Sequence, residues 1–115
     1  MHELSLVQNL FAQLEELLRQ NNAKKILTVK VEIGPFAGVV TDSFEFAFDV
    51  MRDCEPWANG AQLILVTPPP RYQCLCGHIQ ERDKLEPGVC ELCGDDFLTP
   101  VSGGNDIVLQ QVEME

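Results

Sequence analysis

Residues 71–97 read RYQCLCGHIQERDKLEPGVCELCGDDF, and four of the chain's five cysteines fall inside them: Cys74, Cys76, Cys90 and Cys93. Cys90-Glu-Leu-Cys93-Gly94 is a metal knuckle. Two intervening residues let both thiolates face one ion, and the glycine permits close backbone approach and positive φ. The upstream half, Cys74-Leu-Cys76-Gly77-His78, is a C-x-C pair. Gln73 stands where a C-x-x-C motif would carry its first cysteine. Thirteen residues separate Cys76 from Cys90, close to zinc-ribbon spacing. Zinc takes four ligands in a tetrahedron, and four thiolates supply them. His78 in place of Cys74 is the competing ligand set. Such a site has no open position for water, so it reads as structural zinc in a module too short to build its own core.

Working outward, Pro68-Pro69-Pro70 bounds this module on its N-terminal side and is expected to run as stiff polyproline II. Residues 61–67 before it read as a strand. Residues 26–33 alternate with period two, Leu27, Val29, Val31 and Ile33 forming one face of another strand, which Gly34-Pro35 ends. Residues 3–21 read as a helix, with Leu4, Val7, Phe11, Leu14 and Leu18 at helical spacing and Asn21-Asn22 as its stop. Residues 42–54 read as a second helix with a stripe of Phe44, Ala47, Phe48 and Met51. Asp42 and Glu45 have the spacing of a capping box. After the turn Ser102-Gly103-Gly104-Asn105, residues 106–113 read as a last strand that must pair with the others. The expected fold is therefore α+β: a small three-stranded mixed sheet with two helices and an inserted zinc-ribbon-like module. Residues 1–70 and 98–115 form one domain and 71–97 the module.

The chain has 115 residues and a formal net charge of −10. A nucleic-acid binder is expected to present a basic surface, so nucleic acid is not an expected partner. No apolar run approaches the ~20 residues of a membrane span, and Met-His-Glu is not a secretory n-region. A cytoplasmic protein is expected, and an odd cysteine count without a signal argues against a disulfide framework. Cys54 reads as a partly buried small hydrophobe near a helix end. No nucleophile–base or paired-carboxylate constellation suggests turnover, and no phosphate-binding G-x-x-x-x-G-K-[ST] loop is present.

His2 can form a chelate that internal histidines cannot, from the α-amine, its own amide nitrogen and its imidazole. Deprotonated amide nitrogens suit square-planar Ni(II) or Cu(II). Glu3 could add an amide nitrogen or a carboxylate. Met1 is expected to stay in place before the bulky His2. By chemistry alone this is a weak signal, since a surface histidine near a terminus is usually solvated and idle.

Several stretches, in order, resemble the HypA/HybF family of hydrogenase nickel-incorporation proteins. They are Met1-His2-Glu3-Leu4-Ser5-Leu6, Val31-Glu32-Ile33-Gly34, Gly38-Val39-Val40, Phe44 with Phe46-Ala47-Phe48, Cys76-Gly77, Cys90-Glu-Leu-Cys93-Gly94 and Gly104-Asn105. The resemblance covers nearly the whole chain; a Met-His-Glu start joined to a late zinc ribbon is specific where neither half alone is. It implies a nickel metallochaperone rather than an enzyme, with Ni2+ as cargo and Zn2+ as structural metal. His2 becomes the principal nickel ligand, with the Met1 amine and Glu3 backbone as companions. Asp42 is either a loop carboxylate near that site or a helix cap. The implied partners are a HypB-type GTPase and the nickel–iron hydrogenase large-subunit precursor, with urease accessory proteins served by some members. A monomer or weak homodimer is expected. The different-class alternative is a zinc-ribbon protein-interaction adaptor without nickel delivery.

Overall fold

The computed structural model describes residues 2–102 and 104–115; the expectations on Met1 and Gly103 lie outside them. The described residues form α1 (His2–Gln20), β1 (Ile26–Ile33), α2 (Thr41–Cys54), a 3-10 turn (Pro56–Ala58), β2 (Gln62–Val66), β3 (Arg71–Cys74), β4 (Ile79–Glu81), β5 (Leu98–Pro100) and β6 (Ile107–Met114). The fold is α+β, with one mixed three-stranded sheet in the order β2-β1-β6 and an antiparallel one in the order β4-β3-β5.

The chain divides into two compact units. The first comprises residues 1–31, 39–65 and 109–115. Its core is built on α1, whose Val7, Leu10, Phe11, Leu14 and Leu18 are buried. Phe11 packs edge-on against Phe48 of α2 and also meets Trp57, each with ring centroids 5.4 Å apart. The helix ends as its asparagines suggest. Asn22 takes a φ of 52°, and the Ala23 and Asn22 N–H groups donate back to the carbonyls of Leu18 and Arg19. This is a Schellman-type stop with asparagine in the left-handed position.

Three expectations for this unit need correction. Leu4 was expected in the apolar stripe but is 40% exposed, and Glu3 is buried instead. Glu3, Val7, Leu10 and Leu14 lie at i, i+4, i+7 and i+11, so the inward face of α1 continues through the glutamate. Leu27 is exposed, whereas Ile26 is fully buried. The strand entry is irregular there: the Lys24 and Lys25 N–H groups both donate to the Glu115 carbonyl, so two residues face one as in a bulge. Alternating burial then holds from Val29 to Ile33. Cys54 is exposed at the last residue of α2, where its thiol donates to the Val50 carbonyl.

The second unit comprises residues 32–38 and 66–108, a wider span than the cysteine segment alone. Gly34 is held against Gly104: a Cβ at Gly34 would lie 2.2 Å from the Gly104 oxygen, so glycine alone fits. The Gly34 N–H donates to the Asp106 carbonyl and the Phe36 N–H to that of Gly104. Phe36 packs edge-on against Tyr72 of β3, centroids 5.5 Å apart. In the second sheet β3 is central, pairing Arg71–Gln73 with Glu81–Ile79 of β4 and Tyr72–Cys74 with Pro100–Leu98 of β5. Residues 67–70, with the proline triplet, carry no regular secondary structure.

Candidate metal centres

The first cysteine pair is made by a hairpin. The β3–β4 ladder continues one step past Gln73–Ile79, with the Cys74 N–H donating to the His78 carbonyl over 2.9 Å. Leu75, Cys76 and Gly77 form the turn. Gly77 has a φ of 97°, and its N–H donates back to Cys74. Strand alternation explains the C-x-C spacing. Tyr72 and Cys74 are buried on one face while Gln73 is exposed on the other, so a cysteine at 73 would face away from Cys74. Cys76 reaches the site from the turn. The second pair is a turn of its own: the Gly94 N–H donates to the Cys90 carbonyl over 3.0 Å, with Gly94 at a φ of 77°.

These two turns bring the sulfurs of Cys74, Cys76, Cys90 and Cys93 within 4.8 Å of one another. Cys74 Sγ lies 3.4 Å from Cys93 Sγ, and Cys76 Sγ 3.8 Å from Cys90 Sγ. A zinc ion with Zn–S bonds of ~2.3 Å needs tetrahedral edges of about 3.8 Å. The donor set and its spacing therefore fit zinc. His78 is not in this group; its Nε2 lies 3.6 Å from the Glu91 carboxylate.

The crowded thiols titrate apart. Cys90 is drawn down to about 6, first by the Cys93 backbone N–H, then by that of Leu92 and by the Cys93 and Cys74 thiols. Cys74 is pushed up to about 12: the Cys76 N–H favours its thiolate, but burial and the three neighbouring sulfurs outweigh it. Cys93 is also raised, the pull of the Asp95 N–H and the Cys74 thiol being outweighed by burial and by Cys90 and Cys76. Four thiolates without a cation would repel one another; a divalent ion removes that conflict.

At the other candidate centre, His2 is the first residue of α1 and its side chain is 65% exposed. Its Nε2 lies 3.3 Å from Glu3 Oε2. The same carboxylate oxygen accepts the Val40 N–H over 3.4 Å. Val40 is the N-cap of α2, which has no side-chain cap of its own. Asp42 is thus not the expected cap. It lies exposed in the first turn, where its charge favours the helix dipole, and with Leu4 and Phe46 it lines a hollow of about 380 Å³. Glu3 acts on α2 from another helix, a role its place in the α1 core register hints at but local motifs do not reveal.

The family model for HypA, described as hydrogenase/urease nickel incorporation metallochaperone, matches residues 1–114. The chain belongs to the HypA family. It is 34% identical to hydrogenase maturation factor HypA of Aquifex aeolicus, covering all of this chain and 98% of that protein. It is 36% identical to the Paracoccus denitrificans factor over 90% of each. The solution structure of the nickel metallochaperone HypA from Helicobacter pylori matches with a TM-score of 0.66 at 33% identity, covering 99% of this chain and 97% of that one. A second HypA solution structure matches at 0.71, also 33% identical, covering 100% and 97%. Among the described residues, no helix is long and apolar enough to cross a membrane.

Proposed function

We propose that this protein carries Ni(II) at its N-terminus through His2, with the Met1 amine and the Glu3 backbone nitrogen as companions, and delivers it to a nickel–iron hydrogenase precursor. The observation that carries this reading is the family match along residues 1–114. The local chemistry supports it. The first N–H groups of a helix have no intrahelical acceptor, so the amides of His2 and Glu3 are free of the helix ladder. The imidazole is exposed, and a terminal site gives up its ion more readily than one enclosed in a core. Glu3 contributes its backbone only, since its side chain is committed to Val40. Asp42 is left out of the ligand set.

Zinc is held by Cys74, Cys76, Cys90 and Cys93, with His78 outside the shell, and its role is structural: it ties the two turns together where apolar burial is sparse. The unit containing α1 is the nickel-binding part, and the module at 71–97 is the zinc-binding part. The protein works without turning over a substrate. The expected partners are a HypB-type GTPase and the hydrogenase large-subunit precursor, with urease accessory proteins where urease is served, in the cytoplasm.

The test is Ni(II) calorimetry on the zinc-loaded protein and on His2→Ala. A specific nickel site is expected in the first and none in the second, with zinc content equal in both. Equal nickel binding by His2→Ala would sink the N-terminal site.

A further inference from the structure

We propose that Gln80 is the positioning residue for Cys90, a side chain that fixes the second cysteine turn before metal enters. The inference rests on the four-cysteine zinc reading. Gln80 sits at the middle of β4, opposite Tyr72, and is 4% exposed. A buried primary amide has to be hydrogen-bonded at both ends or it costs stability. Gln80 meets that demand entirely with the backbone of the loop entering the second turn. Its Nε2 donates to the Val89 carbonyl over 3.0 Å and more weakly to that of Pro87 over 3.4 Å. Its Oε1 accepts the Glu91 N–H over 3.0 Å.

These contacts bracket one residue. Two peptide units flank the Cys90 Cα, and both are held at both ends. In the first, the Val89 carbonyl accepts from Gln80 and the Cys90 N–H donates to the Asp95 carbonyl over 2.8 Å. In the second, the Cys90 carbonyl accepts from the Gly94 N–H and the Glu91 N–H donates to Gln80. Asp95 and Gly94 belong to the turn itself, so those two bonds form whenever the turn forms. The Gln80 bonds instead join the turn to the β3–β4 hairpin, which carries Cys74 and Cys76. The amide therefore fixes where Cys90 stands relative to the first pair. No other side chain donates to or accepts from this stretch of backbone among the hydrogen bonds of the described residues. A site whose ligands are already in place loses less freedom on binding and reopens more slowly.

The test is zinc release from the loaded protein to an excess of a chromogenic chelator, for wild type, Gln80→Met and Gln80→Glu. Methionine nearly matches glutamine in shape and removes all three bonds; glutamate keeps the acceptor for the Glu91 N–H and loses both donors. Release should quicken about 10–100-fold in Gln80→Met, the usual cost of losing an outer-shell partner, and at least as much in Gln80→Glu, whose buried carboxylate would face the Val89 and Pro87 carbonyls. A residue that only filled space would leave Gln80→Met at the wild-type rate. Cobalt(II) spectra of the three proteins give the second readout, with ligand-field bands broadened in Gln80→Met. Stoichiometric zinc in wild type with an unchanged release rate in Gln80→Met overturns the positioning role and leaves the zinc site standing. Wild-type protein that holds no zinc overturns both.

Discussion

Replacing Glu3 by alanine probes a link between the N-terminus and the second helix. The carboxylate is 7% exposed, and its Oε2 takes the N–H of Val40 at the uncapped start of α2. A hydrogen bond to a charged group contributes ~1.5–3 kcal/mol, and the 3.4 Å length places this one at the weak end. The negative charge beside a helix N-terminus adds roughly 0.3–1 kcal/mol. Glu3→Ala should therefore destabilise the protein by about 2 kcal/mol. With an m-value of roughly 2 kcal/mol/M, the urea midpoint should fall by about 1 M. Glu3→Gln keeps a neutral oxygen facing Val40 and should lose about half as much. Circular dichroism at 222 nm in a urea series, on zinc-loaded protein, measures both. Nickel calorimetry on Glu3→Gln adds a second arm: a backbone-only contribution leaves nickel affinity intact while stability drops. An unchanged midpoint in Glu3→Ala would refute the capping role, and lost nickel binding in folded Glu3→Gln would make the carboxylate a ligand.

Other perturbations follow from the same geometry. Zinc added to metal-free protein at pH 7 should release protons from Cys74 and Cys93, whose thiols are raised, and few from Cys90, which is mostly thiolate above about 6; a pH-indicator titration reads the release. In the metal-free protein the lowered Cys90 contributes stability above its unfolded pKa, lost as pH falls through about 6. Cys74 contributes stability below its unfolded pKa, lost as pH rises through about 12. Zinc affinity should fall with acidity, which equilibrium competition at pH 6 and 8 would check. In zinc-loaded protein one thiol, the exposed Cys54, should react quickly with a disulfide reagent, and the other four only after chelation; mass spectrometry of the labelled peptides identifies them. Gly34→Ala forces a Cβ to 2.2 Å from the Gly104 oxygen and should cost several kcal/mol, seen as a lowered melting temperature or insoluble protein.

Elements with long periodic patterns were legible in the sequence. Alternation marked residues 26–33, where β1 lies, and apolar spacing marked both helices to within a residue or two. β2 and β6 also fall within a residue of their expected bounds at each end. The second sheet was not legible. Its strands are Arg71–Cys74, Ile79–Glu81 and Leu98–Pro100, too short to show a period, and the cysteine turn aligns the first two. The capping-box reading of Asp42 and Glu45 failed because the N-cap is Val40, two residues before Asp42, and is met by a side chain 37 residues away. Glu3 and Gln80 share the reason they escaped notice. Each is a polar residue at a core position whose partners are backbone groups in another segment, and sequence carries no local mark for that. The cysteines were the opposite case: their spacing and following glycines announce two turns, each closed by its own backbone, and only the placement of one turn against the other escapes the sequence.

On the proposed reading, the two metal centres stay distinct because their donors differ in kind and in how they are held. Four sulfurs within 4.8 Å of one another form a set with no position left over, and soft thiolates in a tetrahedron favour zinc over nickel's preferred planar nitrogen geometry. The bonds that set this arrangement run through backbone: two glycine-closed turns, the β3–β4 ladder and the Gln80 amide. The His2 imidazole is held by nothing comparable among the described residues. His2 is exposed, and its imidazole lies 3.3 Å from a carboxylate already engaged by Val40. A planar nickel chelate can therefore form and dissolve there without disturbing the helix beyond its first turn, since the amides involved lie outside the helical ladder. Rigidity is placed where the metal must stay, and slack where the metal must leave. Exchanging the donor types would reverse both properties, which is why a cargo site of four thiolates or a structural site at a terminal amine would serve a delivery protein badly.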